Sequence, residues 1–314
     1  MNSPLPYYAA ETGFITVICL IISQVSMAFP IDPRNHFHFK NLSNKHKTPP
    51  SGAWGGTAWG VCRSGVSLPP IMNTAKPSLY TSFSPALINL YDLSNSIVVI
   101  IDVLRATSTI CTALYNGARA VIPVDTVSRC IEISKQIQGI TAGERDGKIA
   151  EGLEYGNSPF EYPRAFIEGK NLVLTTTNGT KLLHMALDKG AKQIITGSFP
   201  NLGAVCDYLL AQKLPVVLGC AAWKDRVNIE DMLFAGAVIS RVKDYFDINC
   251  DSSQVAETLY AGAKDDLYGF MKAKNASHYH RLSNYGLEKD IRYCLSQDLA
   301  PVLPFYQDGK LILA

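Results

Sequence analysis

Nowhere in this 314-residue chain do two cysteines form a Cys-x-x-Cys pair, although eight are present, at positions 19, 62, 111, 130, 206, 220, 250 and 294. Such wide spacing supplies neither a zinc-ligand pattern nor the dense framework of a small disulfide-stapled domain. In a chain of this length it reads as reduced, mostly buried thiols of a cytoplasmic protein. Charge is also sparse, at 18% of residues, and no Lys/Arg cluster interleaved with aromatics appears, which argues against nucleic acid as a partner. The net charge of +2 comes from the beginning of the chain: residues 1–71 hold five basic and two acidic residues, leaving 24 basic and 25 acidic in 72–314. A membrane-length apolar run is missing as well. Residues 14–29 are apolar apart from Thr16, Ser23, Gln24 and Ser26, but the run is short for a membrane span and follows Glu11 with no Lys or Arg before it. Together with the breaker-rich segment up to Pro69-Pro70, it reads as a disordered extension over 1–71 with a signal-like stretch, ahead of a domain over 72–314 for which no membrane is expected.

What is present is a hydrophobic content of 47%, enough for a substantial core, arranged from about residue 78 onward as alternating strand and helix patterns. The clearest strand is Ile97–Ile101, five apolar residues without alternation, as expected of a strand buried on both faces. Helix over 107–116, strand 120–124, helix 126–137, a short strand from 140, strand 172–176, helix 181–187, strand 193–196, helix 202–212, strand 216–220 and helix 229–246 follow. Helices over 253–272 and 287–295 and a hairpin around Asp308-Gly309 complete the pattern. The fold class is therefore α/β: a three-layer α/β/α sandwich with a mostly parallel sheet and a helical plus hairpin C-terminal part.

In such a sheet ligands gather at the carboxyl ends of the strands, so the segments just after them are the candidates for chemistry. Asp102 ends the first apolar run and is followed by Arg105 and by the hydroxyls of Thr107, Ser108 and Thr109; Glu144 and Arg145 follow the strand at 140. Asn157 and Ser158 lie in a polar turn, and Thr177, Asn178, Gly179 and Thr180 open a helix where free backbone N–H groups would face an anion. Taken alone, Thr177 or Asn178 is accounted for as a helix cap; with a second hydroxyl-rich helix start after Arg105, an anion cradle accounts better for both. Asp102, Glu144 and the adjacent Glu230 and Asp231 offer only oxygen, which suits Mg²⁺ and not zinc. Glu230 and Asp231 would point about 100° apart on a helix, so either one ligates while the other caps or binds a cation, or they are a first-turn acidic pair complementing the helix dipole.

The histidines add little: His184 sits in an apolar helix, and His278 and His280 stand near Arg281 without an evident carboxylate partner. Cys220 and Arg226 have the Cys-x5-Arg spacing of thiol-dependent phosphatases, but Trp223 and Asp225 between them suit a phosphate-wrapping loop badly.

The ordered set 102–109 (Asp-Val-Leu-Arg-Ala-Thr-Ser-Thr), Gly143-Glu144-Arg145, Gly156-Asn157-Ser158-Pro159, Thr176-Thr177-Asn178-Gly179-Thr180 and Glu230-Asp231 resembles the 2-phosphosulfolactate phosphatases, over about residues 78–314. The resemblance implies a Mg²⁺-dependent phosphoric monoester hydrolase that releases phosphate from 2-phospho-3-sulfolactate, a small anionic substrate on the route to coenzyme M. For that chemistry the residues themselves suggest Asp102, Arg105 and Glu144 as catalytic, with Asp102, Glu144 and Glu230 or Asp231 on the metal. Substrate contacts are expected from Thr107, Ser108, Thr109, Arg145, Asn157, Ser158, Thr177, Asn178, Gly179 and Thr180. Metal-activated water and an aspartyl phosphate on Asp102 both remain open as routes, as do a non-catalytic dianion sensor, a Cys220-dependent phosphatase and assembly as a homo-oligomer.

Overall fold

The computed structural model describes residues 75–314, except Asp146, Thr177 and Ala314. The signal-like stretch, the boundary placed after residue 71 and the Thr177 side chain thus lie outside the described residues. Strand β1 (Leu79–Ser82) leads through a 3-10 turn at Pro85–Leu90 to β2 (Ile97–Ile101). Then follow α1 (Ala106–Tyr115), β3 (Ala120–Val124), α2 (Val127–Ile137), β4 (Ile140–Arg145) and β5 (Lys148–Ile149). Next come α3 (Arg164–Ile167), β6 (Asn171–Thr175), α4 (Gly179–Asp188), β7 (Gln193–Gly197), α5 (Leu202–Gln212), β8 (Val216–Cys220) and α6 (Ile229–Val242). Four helices, α7 (Asp251–Ala261), α8 (Leu267–Ala273), α9 (Ser277–Ser283) and α10 (Glu288–Cys294), precede the hairpin β9 (Pro304–Gln307) and β10 (Lys310–Leu313).

The ten strands form one sheet in the order β1-β8-β2-β7-β9-β10-β3-β6-β4-β5. Two parallel blocks, β1-β8-β2-β7 and β3-β6-β4, flank the antiparallel hairpin. The uniform apolarity of β2 has a direct cause. Ile97, Val99 and Ile101 enter a cluster with Leu202, Val205 and Leu209 of α5 and Leu233, Phe234 and Val238 of α6, while Val98 and Ile100 enter another with Leu182, Leu183 and Ala186 of α4. Helices therefore cover both faces, consistent with a three-layer α/β/α sandwich.

Strands β1 and β5 and helix α3 were not among the expected elements, and three others differ from expectation. The helix placed over 229–246 gives way at Val242 to a 3-10 turn over Lys243–Tyr245. The helix placed over 253–272 is two, because Asp266 caps α8 by accepting a hydrogen bond from the Gly269 amide at 2.8 Å. Helix α9 was not anticipated; it has seven residues, of which only Tyr279 and Leu282 are buried, too few to show a helical period.

Candidate active site

Loops at the carboxyl ends of both parallel blocks meet in one cavity. Asp102 after β2, Glu144 at the end of β4, Thr176 and Asn178 after β6, and Trp223 and Lys224 after β8 all line it, with Arg105, Gly147 and Asn157. The empty space within it, open solvent at its mouth included, is about 560 Å³.

The turn from β2 into α1 fixes Asp102 through its own main chain: the Asp102 amide donates to Thr107 Oγ1 at 3.2 Å and the Thr107 amide donates to the Asp102 carbonyl at 2.9 Å. Desolvation pushes the Asp102 carboxyl up to about 7; the positive side of His278 opposes this, Glu144 adds to it, the Ala106 amide opposes it and Glu230 adds again. Helix α4 begins against this carboxylate so closely that a Cβ on Gly179 would lie 3.1 Å from Asp102 Oδ2. Glycine is the residue that lets the main chain come that near. Arg105 reaches the cavity with its guanidinium already engaged, Nη1 to Asp290 Oδ2 at 2.5 Å and Nη2 to the Gly147 carbonyl at 3.4 Å.

The expected substrate contacts divide. Asn157 lines the cavity at 3% exposure, and its Oδ1 is buried with no hydrogen-bond partner among the described residues. Asn178 lines it too, while its Oδ1 accepts from the Lys224 amide at 3.4 Å. The remaining hydroxyls serve the fold. Ser108 donates to the Val103 carbonyl at 2.8 Å, Thr109 to the Asn157 carbonyl at 3.0 Å and Thr180 to the Val124 carbonyl at 3.3 Å. Ser158 caps a 3-10 turn in a capping box with Glu161. Arg145 turns to the Glu144 carbonyl and Thr175 Oγ1, at 2.7 and 3.2 Å. These five side chains, with Thr107, hold the walls of the cavity rather than face it; Thr176, one residue before the cradle named above, does face it.

The two acids of α6 separate as the helical angle requires. Asp231 accepts the Val103 amide at 3.0 Å on Oδ1 and the Ala222 amide at 3.3 Å on Oδ2, which ties the loops after β2 and β8 together. Glu230 points instead to His278, with 2.6 Å between Oε1 and Nδ1, and its Oε2 is buried with no partner among the described residues. His278 itself lines the cavity, as does Arg281 from the same helix, whose guanidinium stacks 4.2 Å from the Trp223 ring centre. Lys224 approaches that ring at 4.7 Å. His278, Arg281, Lys224 and Asp290 are the functional residues that motif reading missed. Their one sequence signal was the spacing of His278 and Arg281, three apart and so on one helical face.

Asp102 and Glu144 present carboxylate oxygens to one cavity, and Mg²⁺ commonly binds through one or two carboxylates together with substrate phosphate oxygens. The desolvated Asp102, raised further by Glu144, is a place where a cation relieves like-charge repulsion. Those two residues fit. Asp231, with both oxygens on main-chain amides, and Glu230, paired with His278, do not complete a three-carboxylate set, and among the described residues no three His, Cys, Asp or Glu side chains form a ready metal cluster. Cys220 is likewise no nucleophile, being fully buried with its thiol raised well above the ordinary value by desolvation, then by Asp231 and Glu230.

Comparison with known proteins gives the following. The sequence profile of the 2-phosphosulpholactate phosphatase family matches residues 82–309. A protein of Caldanaerobacter subterraneus subsp. tengcongensis is 38% identical over 226 residues, 71% of this chain and 92% of that protein. One from Thermotoga petrophila is 41% identical over 216 residues, 68% of this chain and 91% of its own length, and one from Clostridium beijerinckii is 35% identical over 220 residues, 69% and 91%. All three carry the name probable 2-phosphosulfolactate phosphatase.

Proposed function

The chain belongs to the 2-phosphosulfolactate phosphatase family, and from that premise we propose that it hydrolyses the phosphate ester of 2-phospho-3-sulfolactate with Mg²⁺ held by Asp102 and Glu144. As a phosphoric monoester hydrolase it has to accept a substrate with three anionic groups, and the observation that carries the reading is the mixed charge of one cavity. Asp102 and Glu144 lie there with Arg105, Lys224 and Arg281.

When bound, the metal supplies Lewis acidity to the phosphoryl group and a water of lowered pKa. The protein's part is positional. Arg105, immobilised by Asp290, offers fixed positive charge to the phosphoryl oxygens as charge grows on them. The start of α4, brought against Asp102 by Gly179, places the positive end of the helix dipole beside that carboxylate. Arg281 and Lys224, braced on Trp223, line the same cavity where they suit the sulfonate and carboxylate, and the unpartnered Asn157 Oδ1 is left to accept from a donor such as a bound water. The six cysteines among the described residues are free thiols, five of them buried, which agrees with work in the reducing cytoplasm. Among the described residues no helix is long and apolar enough to cross a membrane.

The test is phosphate release from 2-phosphosulfolactate and from 2-phospholactate, with Mg²⁺ and with EDTA. Release that requires Mg²⁺ and favours the sulfonated substrate is expected. Binding without release would make the chain a dianion sensor, and release unaffected by EDTA would remove the metal.

A further inference from the structure

Glu230 is a carboxylate at 1% exposure that is not among the residues lining the Asp102 cavity, yet one of its oxygens is bonded to an imidazole and the other to nothing among the described residues. A buried acid left half-satisfied is costly and asks for an explanation. Its partner supplies one. His278 sits on α9 with Nδ1 2.6 Å from Glu230 Oε1, and the same side chain lines the cavity shared by Asp102 and Arg105. With a carboxylate oxygen as acceptor, Nδ1 is the donor of that bond and Nε2 is the ring nitrogen that the bond does not use. A histidine oriented by a carboxylate that touches no substrate is the arrangement used to give or take a proton at one defined atom.

From this geometry, and resting on the phosphatase reading, we infer that His278 is the general acid of the reaction, oriented by Glu230, and that it protonates the departing hydroxyl oxygen of the substrate. In that step the P–O bond to the substrate's C2 oxygen breaks, its electron pair stays on that oxygen, and the Nε2 proton moves to it, so the product leaves as an alcohol and not as a strongly basic alkoxide. The oxygen of a water molecule forms the new bond to phosphorus, and a proton that this water sheds restores the imidazole. The sum is the addition of one water across the ester. Glu230 is a positioning residue: it touches no reacting atom and fixes which nitrogen faces the substrate.

The experiment compares leaving groups that need a proton with leaving groups that do not. Wild type and His278→Asn are assayed on 2-phosphosulfolactate, and on p-nitrophenyl phosphate and the sulfur-bridged analogue of 2-phospholactate, which depart readily as anions. A general acid contributes about 10²–10⁴-fold, so kcat on 2-phosphosulfolactate should fall by roughly that factor while the other two substrates lose less than about tenfold. Glu230→Gln, which keeps the imidazole but removes the ionised partner, should show the same selective loss to a smaller degree; thermal melts report that both variants are folded. Equal losses on all substrates, or no loss on any, overturn the assignment of His278. Wild type that releases phosphate from none of them overturns the phosphatase reading first, and the general acid with it.

Discussion

At Cys220 the thiol is fully buried at the end of β8 and raised well above its ordinary 9.0, so no thiolate is available at neutral pH. Cys220→Ala should therefore keep kcat within about twofold of wild type, since a structural thiol behaves as a small apolar group, and iodoacetamide should leave activity unchanged. Asp102 is the opposite case, a titratable group placed where its charge is expensive. Its carboxyl is near 3.8 in the unfolded chain and about 7 in the fold. A raised acid binds its proton more tightly when folded, so its contribution to stability is fully present below 3.8 and lost as pH rises through about 7. In EDTA, Asp102→Asn should consequently melt higher than wild type at pH 8, with the difference vanishing by about pH 4, and in Mg²⁺ its phosphate release should be abolished. A variant that melts lower at pH 8 would show the carboxylate to be stabilising as an anion.

Among the elements, α6 does two jobs with adjacent residues, and the helical turn separates them. Asp231→Ala leaves the buried Val103 and Ala222 amides without acceptors, each worth about 1–3 kcal/mol, against partial relief from removing a desolvated carboxylate. A net loss of about 1–3 kcal/mol in chemical denaturation is expected, with turnover reduced as well because the loop carrying Asp102 is untied from the loop carrying Trp223. The elements of the layered core were legible from periodicity: β3, α5 and β8 run as expected at 120–124, 202–212 and 216–220. These stretches bury one side or both, and burial writes a regular apolar pattern. Helix α9 was illegible for the converse reason. It is short, and its cavity face carries His278 and Arg281 where a core helix would carry apolar residues.

For the molecule as a whole, the C-terminal hairpin decides how the two parallel blocks are joined. The sequence shows a hairpin at Asp308-Gly309 but not its place, and it lies in the middle of the sheet, Phe305 paired with Ile195 of β7 and Leu311 with Val121 of β3. Leu311 is 1% exposed and packs with Leu172 and Leu174 of β6. Leu311→Ala should cost about 2–5 kcal/mol, the range for emptying a leucine site in a packed core, and should lower the midpoint of a single cooperative transition. Separate unfolding of the two blocks would show that the hairpin does not couple them.

Local chemistry alone determined the layered α/β architecture and the presence of Asp102, Glu144, Asn157 and Gly179 at the ends of buried strands or in the turns beside them. Those features follow from the hydrophobic period of each element and from the rule that strand ends carry ligand groups, neither of which needs distant information. Tertiary structure alone decided which polar side chains face substrate and which hold the walls. It turned Ser108 and Thr109 to main-chain carbonyls, sent Glu230 to His278, and brought Asp290 to Arg105 across 185 positions. A side chain's partner in a folded core is set by the docking of elements far apart in the chain, and no periodicity within one element encodes that.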